Sequence, residues 1–174
     1  GGVVISASHN PFPDNGIKIL RSTGEKVTRQ FESRIETRLG KLAGTPVVEE
    51  PADVEKLDVL NTYVEHLFRV AGGTDLSGMR VAIDCAHGAM SEVAPLVLKK
   101  LGLAMIELNA KPDGKNINAN SGSTHPESLQ KRVVEAGCHV GFAFDGDGDR
   151  VILVDQFGRL VDGDGVLFLV ARHL

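Results

Sequence analysis

"CHVGFAFDGDGDRVILVD", Cys138 to Asp155, is the stretch from which the rest of the chain is read. Cys138 to Phe144 is apolar and of strand length, and Val151 to Val154 is a second apolar run. Between them stand Asp145, Asp147 and Asp149, separated only by glycines, with Arg150 directly after. A spacing of two in an extended loop turns alternate side chains the same way. The glycines let the backbone curl so that the three carboxylates converge. Converging carboxylates repel one another and need a cation. An all-oxygen set favours Mg²⁺, Ca²⁺ or Mn²⁺ over softer metals. A lone Asp-Gly pair would be a solvated turn, but three aspartates at period two between apolar strands point to a metal site. A calcium EF-hand does not fit. Counted from Asp145, the sixth loop position is Arg150 instead of Gly, the twelfth is Gln156 instead of Glu, and strands flank the loop.

Working outward, Met79 to Asp84 is an apolar strand, Glu92 to Leu101 a helix stopped by Gly102, and Leu103 to Leu108 another strand. A polar loop from Asn109 to Ser123 holds four asparagines. Thr124-His125-Pro126-Glu127 has the pattern of a capping box, ahead of a helix that carries Leu129, Val133 and Val134 and stops at Gly137. Downstream, Gln156-Phe157-Gly158-Arg159 reads as a hairpin turn, and a helix starts near Gly165. Asp162-Gly163-Asp164-Gly165 echoes the aspartate loop, but it precedes a helix, which makes Asp164 a cap. Towards the N-terminus, Leu57, Leu60, Val64, Leu67 and Phe68 mark a helix ending near Gly72-Gly73. Gly44 to Pro51 is a connection. Phe31, Ile35, Leu39 and Leu42 mark a helix capped by Thr28, preceded by a turn at Ser22-Thr23-Gly24. Strands and helices alternate, so the expected fold is α/β, with a mixed, mostly parallel sheet and flanking helices. In such sheets ligands sit beyond the carboxyl ends of strands. Two polar loops fall at strand ends: Asp145–Arg150, and Ser6–Asn10 after the apolar run Gly2 to Ile5.

The 42% apolar and 24% charged content is that of a globular chain. No apolar run approaches the roughly 20 residues that span a bilayer, so no membrane is expected as a partner. The first residues lack the basic n-region of a signal peptide. A strand already under way at Val3 without an initiator Met reads as a fragment of a longer protein. The net charge of −4 is spread over both signs with no basic stripe, and the single Tyr63 and seven Phe form no stacking platform. Nucleic acid is therefore not an expected partner. Cys85 and Cys138 lie in apolar stretches and read as reduced core residues, which places the protein in the cytoplasm.

In the opening loop, Ser8 needs activation to be a nucleophile. The loop is neither the Gly-x-Ser-x-Gly elbow of a hydrolase nor a nucleotide P-loop. What remains is a hydroxyl near a divalent metal, with His9 and Lys18 available as cation or base. That combination suits phosphoryl transfer, in which metal and cations neutralise charge on the moving group.

Taken together, "SASHNPFPDNGIK" and "DGDGDR" resemble the α-D-phosphohexomutase superfamily, and "ISASHNP", "DNGIK", "GSTHPE" and "DGDGDRVILVD" are most similar to its phosphoglucosamine mutase family. The resemblance covers essentially the whole chain. It implies a four-domain protein, of which residues 1–52 are the end of domain 1 with a phosphoserine loop. Residues 53–162 would be domain 2 with the metal loop, and 163–174 a helix that starts domain 3. It implies that Ser8 is the phosphorylated residue. The Ser8 phosphate and Asp145, Asp147 and Asp149 would hold one Mg²⁺ per active site. Lys18 and His9 become candidates for acid/base or phosphate-contacting roles, and Arg150 would meet the phosphoryl group. Ser6 is then structural, and Asn10-Pro11 shapes the turn. His87, where the family pattern often has Asn, is loop structure; His66, His125, His139 and His173 are given no role. The implied reaction interconverts glucosamine 6-phosphate and glucosamine 1-phosphate through a bisphosphate. Its partners are the hexosamine phosphate and domains 3 and 4, which carry the sugar-reading and phosphate-clamping loops. These residues alone are then expected to be inactive, and the resemblance leaves room for a homodimer. Alternatives are a phosphoglucomutase or phosphomannomutase of the same superfamily, a phosphatase with Asp145 as nucleophile, and a non-catalytic metal-binding module.

Overall fold

The computed structural model describes residues 1–42, 44 and 55–173. Apart from Gly44, the connection read over Gly44–Pro51 lies outside the described residues, as does the division between 52 and 53. The chain forms two compact units, Gly1–Ser6 with Gly16–Asp58, and Ala7–Asn15 with Val59–Leu174.

In the first unit, β1 (Gly2–Ser6) pairs antiparallel with β2 (Gly16–Leu20), in a register that sets Gly2 against Leu20 and Val4 against Lys18. A turn follows in which the Gly24 N–H donates to the Arg21 carbonyl at 3.1 Å, where Ser22-Thr23-Gly24 predicts one. Helix α1 (Arg29–Leu42) starts at Thr28 as read. The Phe31 and Glu32 N–H groups donate to the Thr28 carbonyl, and Phe31 N–H also reaches Thr28 Oγ1 at 3.4 Å.

The second unit runs α2 (Leu60–Val70), β3 (Arg80–Asp84), α3 (Met90–Lys100), β4 (Ala104–Leu108), α4 (Glu127–Glu135), β5 (Val140–Phe144), β6 (Val151–Asp155), β7 (Leu160–Val161) and α5 (Gly163–His173). The sheet order is β4-β3-β5-β6-β7. β3 pairs parallel with β4 and β5, because α3 and α4 provide the long crossovers that parallel neighbours require. β5, β6 and β7 pair antiparallel. There the connections are too short for a crossover, and the Gly158 N–H closes the predicted hairpin turn on the Asp155 carbonyl at 2.9 Å. The sheet is therefore mixed, with parallel pairing confined to three strands.

Side-chain alternation sends the core to both faces. Val81 and Ile83 point to one side, where they pack with Cys85, Ala94, Leu101 and Leu103 and against Phe68 of α2. Ala82 points to the other, among Leu129, Val133, Cys138, Ala143 and Val154. Helix α4 sits so close to β5 that a Cβ at Gly141 would lie 2.6 Å from Val133 Cγ2. Glycine is required there by packing. Cys85 and Cys138 are free and buried, as read. No helix among the described residues is long and apolar enough to cross a membrane.

Two caps differ from the sequence reading. Thr124 does not cap α4. It ends a 3-10 turn, Gly122–Thr124, and the helix opens behind Pro126 with no side-chain cap bond. Proline presets the helical φ, and this replaces the capping box. At α5 the cap is Asp162, whose Oδ1 accepts the Gly165 N–H at 2.9 Å; Asp164 falls inside the first turn. Helix α2 begins at Leu60, which leaves Leu57 outside it and exposed.

Candidate active site

The carboxyl ends of β3, β4 and β5 set the scene. At the end of β3, Asp84 is fully buried, and both its oxygens are used. Oδ1 accepts the Ala86 N–H at 2.9 Å, and Oδ2 accepts an Asn109 Nδ2 proton at 2.9 Å. It is a structural aspartate that ties one strand end to the next. At the end of β5, Asp145 is equally buried but only half satisfied. Oδ1 accepts the Arg150 N–H at 3.1 Å, while Oδ2 is buried with no hydrogen-bond donor. A buried carboxylate oxygen without a donor is costly unless something positive meets it.

The neighbours of Asp145 sharpen that conclusion. Asp145, Asp147 and Asp149 present oxygens that all lie within 4.8 Å of one another, with burial falling from buried Asp145 to exposed Asp149. Burial pushes the Asp145 carboxyl above the ordinary range, the charges of Asp147 and Asp149 push the same way, and the Arg150 N–H opposes them. The donor set is all oxygen, and the Asp145 Oδ2 it contains is buried without a hydrogen-bond donor, which fits a hard divalent cation. Arg150 lies at the mouth of this loop, its Nε 3.8 Å from Asp149 Oδ1, both side chains largely exposed. An ion pair so exposed contributes little to stability and leaves the guanidinium accessible.

The Ser8 loop belongs to the same compact unit. Ala7 is buried, Ser8 half-buried and His9 exposed. The Asn10 N–H closes a turn on the Ala7 carbonyl at 2.9 Å, and Ser8 takes φ 52°, in the left-handed region that an L-residue disfavours by about 1–2 kcal/mol. His9 Nδ1 lies 3.4 Å from Ser8 Oγ. Asn118 and Gly146 are among the residues that hold this loop. Asn118 Nδ2 donates to the Ser8 and Asn10 carbonyls, both at 2.8 Å. Gly146, between the first two aspartates, packs so closely that a Cβ on it would collide with the Ser8 carbonyl oxygen and lie 2.6 Å from Asn118 Nδ2. The backbone of Ser8 therefore rests on the aspartate loop.

The structure thus brings together the Ser8 backbone and the Asp145–Arg150 loop. Lys18 lies on β2, paired with Val4, in the first unit. His87 is loop structure, as read: its N–H donates to the Asn109 carbonyl at 2.6 Å, and its Nδ1 accepts the Lys111 N–H at 3.2 Å. His139 also has a structural use, accepting the Arg80 N–H on Nδ1 at 2.9 Å. Sequence reasoning missed Asn118 and Gly146. The available signal for Asn118 was the asparagine-rich loop between β4 and α4, in which Asn109, Asn118 and Asn120 all adopt positive φ.

Comparison with known proteins shows the family. The family model for phosphoglucomutase/phosphomannomutase, alpha/beta/alpha domain II, matches residues 61–158, and that for alpha/beta/alpha domain I matches residues 1–44. The phosphoglucosamine mutase of Desulforudis audaxviator is 46% identical over 177 residues, covering 100% of this chain and 39% of the relative. That of Halorhodospira halophila is 47% identical over 175 residues, covering 98% and 38%. A solved phosphoglucomutase/phosphomannomutase family protein from Burkholderia thailandensis is 30% identical, with a TM-score of 0.70, over 98% of this chain and 37% of its own. The chain spans well under half the length of the relatives it matches.

Proposed function

The chain belongs to the phosphoglucomutase/phosphomannomutase family, and we propose that it supplies the phosphoserine and metal loops of a phosphoglucosamine mutase. In a chain of the relatives' length, the reaction is the interconversion of glucosamine 6-phosphate and glucosamine 1-phosphate. Residues 1–52 are assigned to the end of domain 1, residues 53–162 to domain 2, and residues 163–174 to a helix opening domain 3. The observation that carries the reading is the Ser8 carbonyl resting on Gly146, within the aspartate loop.

Ser8 carries the phosphate. Its P–Oγ bond breaks as a bond forms from phosphorus to the free sugar hydroxyl, whose proton passes by way of Lys18 or His9 to the departing Ser8 Oγ. The product is the sugar bisphosphate. After the bisphosphate reorients, Ser8 Oγ attacks its other phosphorus, the bond from that phosphorus to the sugar oxygen breaks, the serine proton passes to that oxygen, and the isomeric monophosphate leaves. His9 stands beside Ser8 Oγ; Lys18 is assigned on the motif alone. Arg150 offers its guanidinium to the phosphoryl oxygens. Asp145, Asp147, Asp149 and the Ser8 phosphate would hold one Mg²⁺, which neutralises charge on the transferring group. The buried and free Cys85 and Cys138 support a reducing, cytoplasmic setting.

The 46% and 47% identity to phosphoglucosamine mutases favours glucosamine over the sister sugars. A phosphatase using Asp145 as nucleophile leaves the Ser8 contact without a use. The test is peptide mass mapping of the purified complete protein, followed by assay on glucosamine, glucose and mannose phosphates. Phosphate on Ser8 and preference for glucosamine phosphate are expected. An unmodified Ser8 that cannot be phosphorylated by the sugar bisphosphate would refute the reading.

A further inference from the structure

Asn118 is the side chain that joins the Ser8 loop to the rest of the sheet's carboxyl edge. It is only 8% exposed, and its Nδ2 lies 2.8 Å from both the Ser8 and the Asn10 carbonyl oxygens. Both partners can only accept, so the amide must present its NH₂ to them and spend both protons there. The Asn118 backbone is fixed in turn: it sits at φ 59°, a conformation asparagine tolerates, and its N–H donates to the Ala86 carbonyl at 2.9 Å. Three residues beyond Ala86, the Ala89 N–H donates to the Gly146 carbonyl at 2.9 Å. Gly146 abuts the Ser8 carbonyl and Asn118 Nδ2. The contacts close into a ring: Ser8, Asn118, the turn after β3, the aspartate loop, and Ser8 again.

We propose that Asn118 is a positioning residue for Ser8, holding the serine in its left-handed backbone so that Oγ keeps a fixed direction. This rests on Ser8 being the phosphate carrier. Asn118 bonds the carbonyls of Ser8 and Asn10; it acts by removing the freedom of Ser8 to turn away. Small misplacements of a reacting group cost rate out of proportion to stability.

The test is Asn118→Asp in the complete protein, which keeps shape but turns an oxygen towards two carbonyls. The expected result is kcat lowered by about tenfold or more, with KM for glucosamine 6-phosphate unchanged within about twofold, since ground-state sugar contacts are untouched. A lower Tm with unchanged kcat in the folded enzyme would mean a merely structural amide and overturn the proposal. Ser8→Ala, run in parallel, separates the two readings: an active Ser8→Ala enzyme sinks the carrier assignment, whereas an inactive Ser8→Ala beside a fully active Asn118→Asp sinks only the Asn118 role. Should Asn118→Asp fail to fold, the wild-type 174-residue chain still decides. Its Asn118 side-chain amide protons should exchange with solvent at least about tenfold more slowly than exposed amides, because both are bonded and buried. Exchange at the exposed rate would overturn the proposal.

Discussion

The aspartate loop and the serine loop touch at Gly146 but are built on opposite plans. The aspartate loop makes its own geometry. Its aspartates alternate with glycines, its first residue follows strand β5, and Asp145 is tied to Arg150 across the loop by its own N–H, which donates to the Arg150 carbonyl, and by its Oδ1, which accepts the Arg150 N–H. The serine loop is more exposed, and residues more than a hundred positions away hold it. Its Ser8 carbonyl is pinned between Asn118 and Gly146. The first loop gathers three carboxylates, one with a buried oxygen that has no hydrogen-bond donor, and the second rests its Ser8 carbonyl on that loop. Variants in the first should therefore change cation affinity and stability, and variants in the second should change turnover.

The largest expected effect breaks the second loop. In the complete enzyme, Ser8→Ala should lower turnover by on the order of a thousandfold or more, as removal of a covalent carrier does. Ser6→Ala should cost less than about tenfold by the same kinetic measure. Equal losses in a steady-state assay would show that the wrong hydroxyl has been chosen.

Next comes the cation. Asp147→Ala should weaken Mg²⁺ binding by about tenfold or more in calorimetric titration, because a neutralising oxygen is lost from a small ligand set. Unchanged affinity would remove Asp147 from the site.

Gly146→Ala joins the two loops in one experiment. A methyl group there must displace Ser8 or Asn118, and overpacking of this kind costs about 1–3 kcal/mol. For a chain of this size that is a Tm lower by about 2–10 °C. A variant as stable as wild type by thermal denaturation would mean that the loops do not touch.

The smallest effect has the opposite sign. Burial raises the Asp145 pKa, so between the ordinary carboxylate value and its folded value the native state binds more protons than the unfolded state. The metal-free chain should accordingly lose stability as pH rises through that window. Asp145→Asn removes the charge and keeps the Oδ1 acceptor. It should raise the metal-free Tm at neutral pH by about 2–4 °C, equivalent to roughly 1 kcal/mol, and flatten the pH dependence. A lower Tm and an unchanged pH profile would show that the carboxylate is not strained.

The contrast between the loops also explains what the sequence could reveal. The strand–helix alternation from β3 to β6 was legible because apolar runs, glycine stops and a hairpin turn agree locally. The aspartate loop was legible because its chemistry and its geometry occupy the same few residues. Asn118 was not, since its partners lie 108 and 110 residues away and nothing nearby marks an amide that donates to two remote carbonyls. The capping box at Thr124 was misread because a 3-10 turn and Pro126 satisfy the same local pattern by another route. At α5, Asp162 and Asp164 are chemically equivalent in sequence, and only the position of the first helical turn separates cap from interior.

The central claim is that Ser8 sits beside a cation held by the three aspartates. Mn²⁺ titrated into the ¹⁵N-labelled 174-residue chain tests it directly, because a paramagnetic ion broadens the amides nearest to it. At low occupancy, the Ser8 and His9 amides should broaden together with those of Gly146 to Asp149. Broadening of the aspartate loop with Ser8 and His9 left sharp, or broadening scattered over surface carboxylates, would contradict the account.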